Sequence, residues 1–226
     1  MVFFYRIMTQ KSIPMGFIFF LCCCASKPAS HGDKNGKKTK ITHDGHRGVH
    51  HESGASVDLI PYQRALNVKT LQADMRQSDG TSISKGKIYI QRPGKLRIIY
   101  FPEKTLEIVS DGKKIVQYDW RTNQSHAMKV KDNPFEFLLG YFSFHTNPCL
   151  QICSVTKGTK ETTIKVQHTK HRHSGHVILR FSECKGRAPF LSGWTICGAQ
   201  GETIHVTLDN VIIDQPLHAS VFGIRS

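Results

Sequence analysis

Residues 86–100 read GKIYIQRPGKLRIIY. Two runs of alternating character flank a Pro-Gly pair, the pattern of an antiparallel hairpin. Ile88, Ile90 and Arg92 share one parity, so on an unbroken strand their side chains point to the same face. That face is the apolar one, and an unpaired buried charge costs about 3–5 kcal/mol. A guanidinium following two isoleucines therefore needs a partner at the rim of whatever the sheet encloses.

The same rhythm continues outward from the hairpin. Upstream, SVDLIPYQRALNVKTLQADMRQ offers a Ser or Asp cap, a short helix carrying Leu59, Ile60 and Leu66, and a strand in which Leu71, Ala73 and Met75 alternate with polar residues. Downstream come TLEIVS, a turn at Asp111-Gly112, and KKIVQYDW. NPFEFLLGYFSF, residues 133–144, is too apolar for a loop, and Asn133-Pro134 opens a helix well. Strands then resume in ETTIKVQHT, HVILRFSEC, LSGWTICGA and ETIHVTLDNVIID. About ten strands with tight turns predict a mainly β fold: an incomplete antiparallel barrel, or a plain sheet-plus-helix core.

The chain has 226 residues and a formal charge of +14. Residues 1–26 have the order of a secretory signal peptide: Arg6 and Lys11, a mainly apolar run from Ile13 to Cys24, then Ala25 and Ser26. The apolar run is short for a membrane span, although an uncleaved anchor is the alternative reading. Lipidation is another, because Leu21-Cys22-Cys23-Cys24 resembles a lipobox in which Cys23 replaces the usual small residue. Removing 1–26 takes away Arg6 and Lys11 and no acid, leaving 29 basic against 17 acidic residues, or +12. Export rules out nucleic acid as the partner of this charge and leaves anionic proteins or membrane surfaces. Residues 27–55 contain almost no large apolar side chain and read as a flexible, basic, His-rich tether, so the folded domain spans 56–226.

Four cysteines remain after residue 26: Cys149, Cys153, Cys184 and Cys197. In an oxidising compartment they are expected to form structural disulfides, in one of three pairings. A Cys149–Cys153 pair is disfavoured on a strand, where the two Cα atoms lie roughly 13 Å apart. His168, His171, His173 and His176 crowd one loop, and His43, His46, His50 and His51 the tether, but both read as solvated basic segments without a metal. No phosphate-cradling Gly-rich loop, HExxH or GxSxG is present, and no catalytic residue or cofactor is expected.

KTLQADMRQ (69–77), SKGKIYIQRPGKLRIIYFPE (84–103), LEIVSDGKKIVQYD (106–119) and NPFEFLLG (133–140) together resemble the outer-membrane lipoprotein carrier family, LolA. The resemblance is densest over residues 66–140. It implies an incomplete β-barrel with a helical lid over a hydrophobic cavity, and no enzymatic activity. It further implies a periplasmic, monomeric carrier of lipoprotein acyl chains. Cargo would come from an inner-membrane ABC lipoprotein-release transporter and go to an outer-membrane lipoprotein acceptor. Arg92 falls on the family's "RP" arginine, which is held to latch the lid through backbone carbonyls. The lid helix falls on Phe135 to Gly140, and Ile88, Ile90, Leu96, Ile98, Phe135, Leu138 and Leu139 fall on the acyl cavity. A three-residue loop of Pro93, Gly94 and Lys95 would pair Arg92 with Leu96, Ile90 with Ile98 and Ile88 with Tyr100. A carboxylate partner such as Glu107 is the plainer alternative for Arg92. A lipid- or protein-sensing periplasmic domain, or a lipid-anchored acceptor, is the alternative function.

Overall fold

The computed structural model describes residues 57–101, 105–130, 136–147, 150–169 and 175–224. The expected signal peptide, the tether and Phe135 lie outside the described residues, as do Cys149, His171 and His173. The elements are α1 (Ile60–Leu66), β1 (Thr70–Ser78), β2 (Ile83–Gln91), β3 (Lys95–Phe101), β4 (Leu106–Asp111), β5 (Lys114–Asp119) and β6 (Gln124–Lys129). There follow α2 (Glu136–Leu139), β7 (Leu150–Lys157), β8 (Glu161–His168), β9 (His176–Ser182), β10 (Phe190–Cys197), β11 (Thr203–Ile213) and a 3₁₀ turn, Ala219–Phe222.

The eleven strands form one open, curved antiparallel sheet in the order β6-β5-β4-β3-β2-β1-β11-β10-β9-β8-β7. Two meanders thus run outward from the β1–β11 pair and end at free edges. Bulges at Gln72/Asp74, Ile152/Ser154 and Leu191/Gly193 add local twist. Side-chain caps close the turns: Asp79 Oδ1 accepts from the Thr81 and Ser82 N–H groups at 2.9 and 2.8 Å, and Asp111 Oδ1 from Lys113 and Lys114 at 2.8 and 3.0 Å.

The hairpin register differs from the expected one by a step. Gln91 pairs with Lys95, Ile90 with Leu96 and Ile88 with Ile98, so the loop is Arg92-Pro93-Gly94. A three-residue hairpin loop favours a left-handed residue at its last position, and Gly94 takes it at φ 83°. Arg92 is consequently in the turn and not on the apolar face. Its N–H leaves the hairpin ladder and donates to Lys69 O at 2.9 Å.

Two short helices cover the inner face. α1 is started by Asp58, whose Oδ1 accepts from Ile60 N–H at 2.9 Å, and carries proline in its first turn. Its Tyr62 ring meets Phe181 at 5.2 Å, and the Tyr62 hydroxyl donates to Glu183 at 2.7 Å. α2 buries Phe137, Leu138 and Leu139, with Phe137 edge-on to Trp194 at 5.5 Å, and Gly140 follows it at φ 83°. On the outer face the 3₁₀ turn packs on β3 and β4, where Arg97 donates to Val221 O at 2.7 Å and pairs with the buried Glu107.

The disulfide expectation fails for the described cysteines, since Cys153, Cys184 and Cys197 are free thiols. Cys197 opposes His176 at one end of the β9–β10 hairpin, while Cys184 follows Ser182, which opposes Phe190 at the other. Seven strand residues, about 23 Å, separate the two ends. Cys153 lies beside Ile152, which aligns through Val166 and Val177 with Ile196, three strands away and roughly 14 Å. Bridged Cα atoms need to be within about 7 Å.

Candidate functional site

The inner face of β1–β5 is built from strand parity. One row runs Leu71, Ile90, Leu96, Ser110 and Ile115, and the next Ala73, Ile88, Ile98, Ile108 and Gln117. Ile88, Ile90, Leu96 and Ile98, with Leu138 and Leu139 of α2, are exposed by no more than 1%. These six residues share one hydrophobic cluster with Phe137, Phe181 and Trp194. The expected cavity residues among the described ones therefore converge, with α2 seated over them. What the arrangement offers chemically is apolar surface under a small helical cover.

Arg92 stands at the junction of that cover with the sheet. Nη1 donates to Val68 O at 2.8 Å, in the connection between α1 and β1, while Nε and Nη2 are buried without a partner. Its methylenes lie against Gly140: a Cβ there would sit 3.0 Å from Cδ and 3.1 Å from Cγ. The neighbouring Gly94 N–H donates to Leu139 O at 2.8 Å, so the β2–β3 turn holds the last residue of α2 by backbone. One turn thus bonds the end of α2 and the connection that leads from α1 into β1. Burial draws the Arg92 guanidinium down to about 10, with the Asp214 carboxylate opposing, and the group stays charged at neutral pH. Asn67, Lys69, Arg92, Pro93, Gly140, Tyr141, Phe142 and Ser143 line a cleft of about 480 Å³ at this junction.

Glu107, the alternative partner for Arg92, is paired with Arg97 on the opposite face of the sheet. His168 and His176 sit at the ends of β8 and β9, and among the described residues no group of three or more His, Cys, Asp or Glu side chains converges. Sequence reading passed over Gln117 and Asp119, two polar residues buried on the inner face. Their parity with Ile115 was the available signal.

The sequence profile of the family described as outer membrane lipoprotein carrier protein LolA matches residues 66–225, which is most of the chain. The chain belongs to the LolA family. It is 30% identical over 86 residues to an uncharacterized protein of Rickettsia prowazekii, a match covering 37% of this chain and 40% of that relative's length. A LolA-superfamily protein from Nitrosomonas europaea is similar in structure, with a TM-score of 0.42 at 8% identity, covering 73% of this chain and 96% of the other. The lipoprotein LppX of Mycobacterium tuberculosis gives 0.37 at 12%, covering 71% and 97%. MucB of Pseudomonas aeruginosa, in its complex with MucA, gives 0.42 at 11%, covering 72% and 58%. The LolA assignment rests on the profile, which spans both meanders and both the β2–β3 turn and α2. In this LolA-family chain the "RP" arginine bonds the carbonyl after α1, and it reaches α2 through packing against Gly140. Among the described residues no helix is long and apolar enough to cross a membrane.

Proposed function

We propose that this protein is a periplasmic carrier that shelters the acyl chains of lipoproteins leaving the inner membrane and delivers them to an outer-membrane acceptor. On this reading residues 1–26 direct export, 27–55 form a tether, and 56–226 form the carrier domain, working as a monomer without a cofactor or a catalytic step. The observation that carries it is the LolA profile over residues 66–225. Its physical support is the buried apolar face beneath α1 and α2. An acyl chain moved from water into such a face gains roughly 0.8 kcal/mol per methylene, so capture is readily favourable. Release is the harder step, and it requires a closed, empty state that competes with the loaded one. Arg92 is the latch of that state through its packing against Gly140, at the end of α2, and its bond to Val68 O, in the connection that leads from α1 into β1. The transporter that releases lipoproteins and the acceptor that receives them are the partners.

Cells lacking the protein test this. Lipoproteins destined for the outer membrane should accumulate at the inner membrane, and the full chain should restore their delivery. Correct delivery without it would reject the carrier role in favour of a sensing domain.

A further inference from the structure

Gln117 interrupts an apolar row. Ala73, Ile88, Ile98, Ile108 and Gln117 are successive partners across five strands, and Gln117 is 2% exposed. Both its Oε1 and its Nε2 are buried without a hydrogen-bond partner. A buried polar group left unpaired is strongly unfavourable, and most have a partner, so a side chain with both ends unspent calls for an explanation. Leucine, of similar volume, would fill the position with no such cost. The Trp194 Nε1–H, against Phe137 of α2, is likewise buried and unspent.

The unused groups define the chemistry of what they await. Gln117 and Trp194 are neutral and offer N–H donors, which suits an uncharged acceptor; a bare carboxylate beside Gln117 would be buried near Asp119, itself buried two residues along β5 with Oδ2 unpaired, and is disfavoured. An acyl chain presents such an acceptor where it is joined to its head, as an ester or amide carbonyl.

We propose that Gln117 is a binding residue that donates from Nε2 to the ester or amide carbonyl of the acyl ligand, so that the interior selects acyl esters and amides over chains lacking a carbonyl. This rests on the carrier reading and adds a polar requirement to it.

The test is displacement of a fluorescent naphthalene sulfonate probe from the purified full chain by palmitoylglycerol and by hexadecylglycerol, an ether that differs in lacking the carbonyl. The ester should bind about tenfold more tightly, the ratio given by roughly 1.4 kcal/mol. Gln117→Leu should bring ester and ether to the same affinity while keeping ether binding, and should raise the Tm of the free protein. Equal affinities in the unaltered chain would overturn the selectivity and leave the carrier reading standing. A tenfold preference that survives Gln117→Leu would overturn the role of Gln117. Failure of either lipid to displace the probe would overturn the carrier reading and this inference with it.

Discussion

Replacing Arg92 by leucine should separate binding from release. The guanidinium makes one charge-assisted hydrogen bond, to Val68 O at 2.8 Å, and such a bond contributes about 1.5–3 kcal/mol. Two of its nitrogens are buried without partners, and each of these is unfavourable by roughly 1–3 kcal/mol. Together the two penalties, roughly 2–6 kcal/mol, match or exceed the bond, so Arg92→Leu should leave global stability unchanged or raise it. On the latch proposal, the balance between closed and open cover also depends on this bond, which opening the cover would break. Taken by itself the bond would weight that equilibrium about 10- to 150-fold toward the closed cover, and its loss would shift it toward opening by up to that factor. If the closed form dominates the empty protein, apparent affinity for acyl chains rises by up to that factor, and release slows correspondingly. Transfer of a labelled lipoprotein from the purified variant to acceptor-bearing vesicles, followed by gel filtration, reads this directly. The variant should load fully and deliver slowly. Arg92→Lys, which keeps the charge but loses the planar fork, should fall between. Delivery by Arg92→Leu at the unaltered rate would refute the latch.

Gly140→Ala places a methyl group 3.0 Å from Arg92 Cδ at a backbone φ of 83°, a conformation about 1–2 kcal/mol unfavourable for alanine. Calorimetry should show a Tm lower by about 2–8 °C, and an unchanged Tm would mean that α2 ends differently. Leu138→Asp puts a carboxylate at a fully buried position under α2, and acyl-probe binding should disappear while the strand signal in circular dichroism persists; retained binding would remove Leu138 from the cavity. Glu183 accepts from the Thr162 and Tyr62 hydroxyls, both at 2.7 Å, and these bonds hold its carboxyl below the ordinary range. A carboxyl depressed in the folded state stabilises the fold above its unfolded value, about 4.3, and this stabilisation fades as pH falls through the folded value. Denaturant titrations below about pH 4.5 should therefore show a shallower loss of stability for Glu183→Gln than for the unaltered chain; equal slopes would contradict the assignment.

The parity of residues 86–100 was enough to place Ile88, Ile90, Leu96 and Ile98 on one buried face, because alternation is a local signal that the sheet obeys throughout. The turn was misplaced by one residue because alternation does not say which loop position must be left-handed, and Gly94 decides it. The two edge strands were the least legible. β6 is exposed over most of its length and shows no alternation, while β7 half-buries Leu150, Ile152 and Val155 with their rhythm broken by the bulge at Ile152/Ser154. The sequence KIVQYD misleads for the opposite reason. Val116 is buried with Val109 on the outer face near the C-terminal turn, so both parities of β5 are buried, and Gln117 is hidden among them. The family resemblance supplied Arg92 as a site residue; only the structure names Val68 as its partner.

Native mass spectrometry of the protein incubated with vesicles that contain lipoproteins and the releasing transporter tests the carrier claim most directly. The account predicts a soluble species with the mass of one protein plus one acylated lipoprotein. A soluble fraction containing only the unloaded protein, with every lipoprotein still in the vesicles, would contradict it.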